Sequence, residues 1–570
     1  MRKIAVRSEI SKEKSEKLKE YSEFIRHLLF HRGVESADSA KKFLNPDYED
    51  HVYDPFLMKD MDKAVDRILL AIKNDEKVVI FSDYDADGIP GAVVLHDFFK
   101  KIGFKNFENY IPHRHDEGFG LNHDAIDEFA KSGTKLLITI DCGIADADEV
   151  DQANSHGIDV IITDHHLLNG KIPKALAILD PKQPDCNYPE KNLCGAGVVF
   201  KLVQAILKKK RFGLKEGAEK WFLDMVGLAT LSDMVSLTDE NRVLAHYGLK
   251  VLRKSPRIGL KKLLSKMKVN QKYITEDDIG FMIAPRINAA SRMGIPDEAF
   301  KLLVTESETE ADELSEHLNN INNERKGVVA AMVKEMKHIV AKRYEDLPNK
   351  KVIVIGNPKW KPALLGLAAN SLMEEYSVPV FAWGREGENI LKGSCRSPGN
   401  VDLLELMKEA GEVFSDFGGH KLSGGYTLSA EKIHLLDEFL NKAYEKVENN
   451  GSVAEETIAD RILSLEDVTW ETYNQIEKLA PFGIGNSKPL FLFKNVKLHE
   501  IKQFGKEKNH MELMLKNGSD KKIPAIGFFS HPESWGGKIS QGDNIDLLAT
   551  MEKSTFRNYP ELRLRIVDII

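Results

Sequence analysis

Three aspartates at alternating positions, Asp83, Asp85 and Asp87, stand in the run Asp83-Tyr84-Asp85-Ala86-Asp87-Gly88; further acids occur in Thr139-Ile140-Asp141-Cys142-Gly143 and Asp164-His165-His166. Carboxylate oxygens with imidazole nitrogen suit a divalent ion such as Mn2+, whereas an all-oxygen shell leans to Mg2+ or Ca2+. A D-x-D-x-D-G run also opens a calcium-binding EF-hand, but the twelfth position from Asp83 is Val94, not glutamate, and the residues upstream read as strand. A solvated acidic turn is the blander alternative, although three aspartates straight after a buried strand repel one another without a cation. Asp141 and Asp164, each taken alone, could cap a following helix. Taken together, several carboxylates able to bridge imply two ions about 3.5–4 Å apart, an arrangement that hydrolyses phosphate esters and anhydrides.

The elements that must position these acids are short apolar runs: Val78-Val79-Ile80-Phe81, Leu136-Leu137-Ile138-Thr139-Ile140, Val160-Ile161-Ile162-Thr163 and Ala175-Leu176-Ala177-Ile178-Leu179. Apolar residues in succession, alternating with helical stretches, predict a parallel sheet covered on both faces, built from β-α-β units. An aspartate follows each run at once or after one residue, so the acids gather at strand carboxyl ends, where open α/β sheets form ligand crevices. Mostly helical sequence continues to about 300. Leu314, Leu318, Ile321, Val328, Met332, Met336 and Ile339 then recur at helical spacing and predict a rod over about 306–346, stopped by Pro348. A second α/β pattern opens at Lys351-Val352-Ile353-Val354-Ile355. Glu448-Asn449-Asn450-Gly451-Ser452 reads as a linker, and the residues after it as a small β-barrel.

The expected fold class is α/β: a parallel-sheet domain over 60–304, a connecting helix over 305–347, a smaller α/β domain over 348–448 and a C-terminal β-barrel over 452–570. Residues 1–59 read as a small helical cap.

The chain has 570 residues, enough for several cores, and 80 Lys and Arg against 88 Asp and Glu give a net charge of −8. That balance excludes a globally basic nucleic-acid coat or a polybasic membrane tether; any basic site must be local. Lys208-Lys209-Lys210-Arg211 and the interval 250–268 could contact phosphates or be solvated helix faces. Cys142, Cys186, Cys194 and Cys395 form no C-x-x-C motif, and neither a signal peptide nor a long apolar run is evident, so a cytoplasmic protein with no membrane partner is expected.

These motifs resemble the DHH phosphoesterase superfamily and, within it, the RecJ single-strand-specific exonucleases. Also similar are Tyr110-Ile111-Pro112-His113-Arg114 with Glu117-Gly118-Phe119-Gly120-Leu121-Asn122, Ala229-Thr230-Leu231-Ser232-Asp233-Met234-Val235 and Pro285-Arg286-Ile287-Asn288-Ala289-Ala290. Gly393-Ser394-Cys395-Arg396-Ser397 and Gly418-Gly419-His420-Lys421-Leu422-Ser423-Gly424-Gly425 are similar to the DHHA1 domain, and Leu479-Ala480-Pro481-Phe482-Gly483-Ile484-Gly485-Asn486 resembles the entry to the RecJ OB-fold. The resemblance implies metal ligands at Asp85, Asp87, Asp141, His165 and Asp233, with Asp83 a ligand or its neighbour, and His166 facing the scissile phosphate. From sequence alone Asp233 is one acid in a helical stretch. Arg114, Ser394 and Arg396 match positions that bind the strand's 5′-phosphate, and Gly418, Gly419 and His420 match a phosphate cradle. Arg286, Asn288 and Arg292 would touch the incoming strand.

The implied activity is metal-dependent 5′→3′ exonuclease cleavage of single-stranded DNA to mononucleotides, with two Mn2+ or Mg2+ ions, in repair and recombination beside a helicase and a single-strand-binding protein. In the barrel, Phe504, Phe528, Phe529, Trp535, Phe556 and Tyr559 are stacking candidates, although core packing explains most of them equally well. Two other functions compete: a DHH phosphoesterase for short oligonucleotides or cyclic dinucleotides, and a catalytically silent nucleic-acid scaffold.

Overall fold

The runs 78–81, 136–140 and 160–163 form fully buried strand, because a parallel strand with helices on both sides has no face for polar side chains, whereas in the run 175–179 only Ala177–Leu179 is strand and Ala175 and Leu176 are half-buried before it. A computed structural model describes residues 4–168, 170–344, 350–386, 390–448, 457–505, 508–532, 539–554 and 559–570. Pro348, the expected linker residues 449–452, Trp535 and Phe556 lie outside the described residues.

The chain divides into two compact units, Met1–Ser291 with Ile295–Glu316 and Glu456–Ile570, and Arg292–Gly294 with His317–Glu455. In the first, five parallel strands lie in the order Phe107–Tyr110, Val78–Ser82, Leu136–Ile140, Asp159–Thr163, Ala177–Leu179. The chain leaves the strand Val78–Ser82 to one side for Phe107–Tyr110, then crosses to its other side for Leu136–Ile140. That reversal opens a crevice above the carboxyl ends of these two strands. Ser82 pairs with Ile140 and Ile140 with Thr163. Asp83, Asp141 and Asp164 are the next residues and therefore stand in one row.

Five strands close the barrel of the same unit: Phe491–Phe504, His510–Lys516, Lys522–Gly527, Glu561–Ile569 and Asn544–Ser554, the last pairing back with the first. Its core is shared. Leu18, in the turn after the first helix, and Ile25, Leu28 and Leu29 of the helix Glu23–Phe30 pack in one cluster with Phe491, Leu513 and Leu547, and the strand Ile4–Val6 pairs in parallel with Thr457–Ala459.

The second unit holds a mixed sheet in the order Asp416–His420, Ser423–Ser429, Ile390–Arg396, Val380–Glu386, Ile353–Gly356, with only the last pair parallel. The helix Glu308–Arg343 has 36 residues, about 54 Å at 1.5 Å per residue, and buries Leu318, Ile321, Met332 and Met336 among the positions its spacing marked. No helix of the described residues is long and apolar enough to cross a membrane.

Behind the parallel sheet, Lys201 Nζ lies 2.9 Å from Glu240 Oε1, with both side chains fully buried. Tyr188 donates to Glu240 Oε2 at 2.5 Å and the Tyr53 amide to Oε1 at 3.1 Å, so both carboxylate oxygens have donors. Removing the carboxylate strands the ammonium. Glu240→Ala should cost about 3–5 kcal/mol in chemical denaturation, with part recovered by adding Lys201→Met; an Ala variant as stable as the parent would show that the pair is not a structural anchor.

Candidate metal centre

Strand ends, one turn and two helix termini bring the acids together. The Asp85 carboxylate accepts from the amides of Asp87 at 2.7 Å and Gly88 at 3.2 Å, folding the run back on itself before the helix Gly88–Lys101 begins. Asp87 is gripped from elsewhere: the amides of Gly195 and Ala196, opening the helix Gly195–Lys209, donate to its two oxygens at 2.6 and 2.8 Å. A helix start is a ready anion site. Glycine is required there, because a Cβ on Gly195 would lie 2.6 Å from Asp141 Cβ. Asp141 itself has a left-handed backbone, φ 61°, a strained conformation for a non-glycine residue in a buried site.

Asp233 enters from the C-terminal cap of the helix Leu223–Ser232. Ser232 Oγ donates to the Ala86 carbonyl at 2.7 Å, tying that helix end to the Asp83–Gly88 turn. From the other side Asn288 Oδ1 accepts from the Ala86 amide at 2.8 Å. Asn288, expected against the incoming strand, thus contacts the metal turn directly.

His165 Nε2 lies 3.1 Å from Asp141, 3.7 Å from Asp87 and 3.8 Å from Asp233. Burial, followed by the His166 and Lys182 charges, lowers its pKa to about 3, so the ring is neutral and its nitrogen is free to ligate. The second histidine is opposite in character. Asp164 Oδ1 accepts from His166 Nδ1 at 2.7 Å, and although burial opposes the charge, this bond and the Asp164, Asp233 and Asp83 charges raise His166 to about 9. Asp164 also accepts from the amides of His165, His166 and Ile144, which makes it the residue that orients the pair. The site residues expected from sequence omitted that role, although Asp164 is part of the motif; they also omitted Lys182, which donates to the His165 carbonyl.

Ligand atoms of Asp83, Asp85 and Asp141 form one tight group, those of Asp87, His165 and Asp233 a second, and Asp141, His165 and His166 a third that overlaps both. Asp83 Oδ1 and Asp141 Oδ1 are buried and accept no hydrogen bond among the described residues. Burial and the Asp85 charge raise Asp87 to about 7; burial with the Asp87 and Asp85 charges raises Asp233 to about 8. Crowded carboxylates, orphaned oxygens and a neutral imidazole nitrogen fit divalent metal.

Arg114 stacks over the Tyr84 ring at 4.9 Å, and Tyr84 in turn meets Phe119, whose ring approaches His166 at 5.8 Å. Arg286 donates to the Met282 carbonyl. In the second unit Ser394 pairs with Gly425, which pairs with Gly418; Arg396 pairs with Ser423, which pairs with His420; and Gly419 pairs with Gly424. Ser394, Arg396, Gly418 and His420 therefore share one face of three adjacent strands. Arg396 is largely buried without a carboxylate partner among the described residues, and burial lowers its pKa. Arg292, in the same unit, donates to the Ala363 carbonyl at 2.6 Å. In the first basic cluster Lys208, Lys209 and Arg211 pair with Asp54, Asp62, Asp66 and Glu219; in the interval 250–268 Arg257 pairs with Asp97 and Asp224, and Lys262 and Lys266 pair with Glu308, Asp312 and Glu316.

Three family descriptions match successive segments: the DHH family, N-terminal domain, over residues 77–230, the DHHA1 domain over 349–449 and the RecJ OB domain over 459–568. The chain is 35% identical over 571 residues to the single-stranded-DNA-specific exonuclease RecJ of Bacillus subtilis, spanning 99% of this chain and 70% of that protein. It belongs to the RecJ family. The Escherichia coli member is 28% identical over 484 residues, covering 82% of each chain. The fold matches the crystal structure of RecJ in complex with Mn2+ from Thermus thermophilus, with a TM-score of 0.81 at 23% identity, covering 100% of this chain and 79% of that one. A manganese-bound exonuclease RecJ matches at 29% identity with a TM-score of 0.58, over 70% of this chain and 97% of that one.

The raised acids give metal binding a defined pH dependence. Unfolded aspartates titrate near 3.9, so the metal-free fold binds more protons than the unfolded chain. The stability of that protonated form is complete below about pH 4 and is lost as pH rises through about 8. Metal replaces those protons, so Mn2+ affinity should rise about tenfold per pH unit for each proton displaced. The gain in melting temperature at a given Mn2+ concentration should be larger at pH 8 than at pH 6; equal gains would detach these acids from the metal.

Proposed function

We propose that this protein is a single-stranded-DNA exonuclease that removes mononucleotides from the 5′ end, using two divalent ions, Mn2+ or Mg2+, held by Asp83, Asp85, Asp87, Asp141, His165 and Asp233. The observation that carries the reading is the pair of ligand groups at the sheet's reversal point within a chain of the RecJ family. Bound divalent ions supply Lewis-acid polarisation of a phosphodiester and a nucleophile from water at neutral pH. The chain's own residues do the rest. Asp164 holds Nδ1 of a protonated His166, which leaves Nε2–H to donate to a phosphate oxygen or to the departing oxygen. Gly195 and Ala196 fix Asp87, and Asn288 and Ser232 fix the turn that carries Asp85.

Recognition of the strand's 5′-phosphate falls to Arg396, Ser394 and Arg114. Arg396 and Ser394 share a face with the Gly418–His420 strand end, and Arg396 offers a guanidinium whose burial favours an anion. Arg114, stacked on Tyr84 beside the metal turn, supplies charge at the centre itself. Arg286, Asn288 and Arg292 complete the contacts assigned to the strand.

Single-strand holding belongs to the barrel. Phe504, Phe528, Phe529 and Tyr559 are solvent-exposed, Phe529 at 81%, so core packing does not account for them. Three of them cluster on His510, and Arg563 and Arg565 lie over the Phe528 ring at 5.8 and 5.4 Å. Rings with flanking guanidiniums form a stacking platform for bases of any sequence. Unpaired, buried cysteines fit a reducing cytoplasm. A role in repair and recombination would pair the enzyme with a helicase and a single-strand-binding protein.

Single-stranded DNA labelled at either end tests the reading. With Mn2+, labelled mononucleotide should leave at once from 5′-labelled strands, only late from 3′-labelled strands, and not at all with chelator or in Asp141→Asn. Rapid hydrolysis of dinucleotides beside inert long strands would move the function to a small-substrate phosphoesterase.

Removing residues 452–570 would strip the N-terminal helices of their core, so point changes isolate the barrel's contribution. Phe528→Ala with Phe529→Ala should weaken binding of a long strand by about 1–3 kcal/mol per lost stack and leave dinucleotide cleavage intact. Equal loss of both would assign the rings to folding.

A further inference from the structure

Asp233 has no strand beneath it. It follows the helix Leu223–Ser232, and the chain must reverse within five residues to begin the antiparallel helix Asp239–Leu252. Those helices are in near-backbone contact, since a Cβ on Gly227 would lie 2.5 Å from Gly248 Cα. The reversal is made at Met234, a non-glycine residue with φ 59° and a side chain 63% exposed. A left-handed methionine costs about 1–2 kcal/mol and needs its surroundings to hold it. Ser232 anchors the near side of the turn.

The far side is held from the barrel's approach. The Leu237 amide donates to the Ile484 carbonyl at 2.7 Å. On either side of Ile484 the chain is bare: a Cβ on Gly483 would lie 2.7 Å from Leu237 Cδ1, and one on Gly485, at φ +76°, would lie 2.4 Å from Ser236 Oγ. This loop is itself rigid. Asn486, almost fully buried, donates to the carbonyls of Leu479 and Pro481 at 2.7 and 2.8 Å, and Arg32 donates to Asn486 Oδ1 at 3.0 Å. Arg242, in the helix that follows the turn, donates to the Leu479 and Ala480 carbonyls at 2.9 and 3.1 Å and stacks on Phe43. The guanidinium spans from the helix after Asp233 to the segment before the loop.

We propose that the loop Pro481–Asn486, through the Ile484 carbonyl and the bare backbone of Gly483 and Gly485, is a positioning element that holds Asp233 in the metal centre. The inference rests on reading Asp233 as a metal ligand. It explains why two glycines and a buried asparagine sit between a helix and a barrel with no ligand of their own. Residues that support a metal ligand typically contribute 10–100-fold to affinity.

Titration of the full chain with Mn2+ alone tests it, with no DNA present. Gly485→Ala should weaken Mn2+ binding about tenfold, and adding Ser236→Gly should recover most of the loss by removing the atom that the new methyl meets. Gly213→Ala is the control for backbone strain, because Gly213 has the same φ of +76° with no atom within 4 Å of an added Cβ; its Mn2+ affinity should match the parent. If Gly485→Ala does not fold, Gly483→Ala with and without Leu237→Ala reads the same contact from the neighbouring residue. Excess Mn2+ should restore the rate of DNA cleavage in these variants. Parental Mn2+ affinity in a folded Gly485→Ala or Gly483→Ala protein would overturn the proposal. Asp233→Asn separates the two readings: if it leaves Mn2+ binding unchanged, the ligand assignment fails; if it weakens binding while the glycine variants do not, only the positioning role fails.

Discussion

Five carboxylates, Asp83, Asp85, Asp87, Asp141 and Asp233, are forced into one pocket, where their mutual repulsion is the constraint that the surrounding structure must meet. Coulomb repulsion at these separations in a desolvated site is large, and the fold answers it with positive ends and donors. The start of one helix lies against Asp87, the turn's own amides meet Asp85, and two carboxylate oxygens are left with no donor among the described residues. Such a pocket is unfavourable when empty and favourable when it holds cations, so the binding free energy of the metal and the stability of the fold are linked.

The two adjacent histidines divide the work through one aspartate. Asp164 ties up a nitrogen of His166 and three backbone amides and so raises that ring, while burial and the charge this puts on His166 lower its neighbour His165. One ring is available as a neutral ligand and the other carries a proton at neutral pH. Groups of the same type driven apart by environment are the usual mark of separate acid and ligand roles.

Much of this was legible in the residues themselves. Strand-end acids announce a crevice because the alternation of apolar runs and helices dictates a parallel sheet, and His165 stands beside one of those acids in the sequence, its place as a ligand coming from the family resemblance. Asp233 is different: it belongs to a helix cap brought in by the Gly227–Gly248 contact, and no local pattern distinguishes it from a surface acid. The exposed rings of Phe528 and Phe529 were equally opaque, because they lie in the turn just past the strand Lys522–Gly527 and sequence does not say whether such a turn folds back on the barrel. The basic run at 208–211 read as a possible phosphate contact, yet most of it is met by acids from residues 54–66 and 219 that sequence spacing could not bring near. The first 59 residues likewise read as a helical cap with nothing to name what they cover.

What they cover has a consequence for how the chain is made. Ser22 donates to Gln475 across 453 residues, and Leu28 and Leu29 are buried against strands that begin at Phe491. These helices must therefore wait, apolar face uncovered, while about 450 further residues are synthesised and the parallel sheet between folds from neighbouring segments. Closing so distant a contact is slow, and the waiting helices are the segment on which a chaperone would be expected to act.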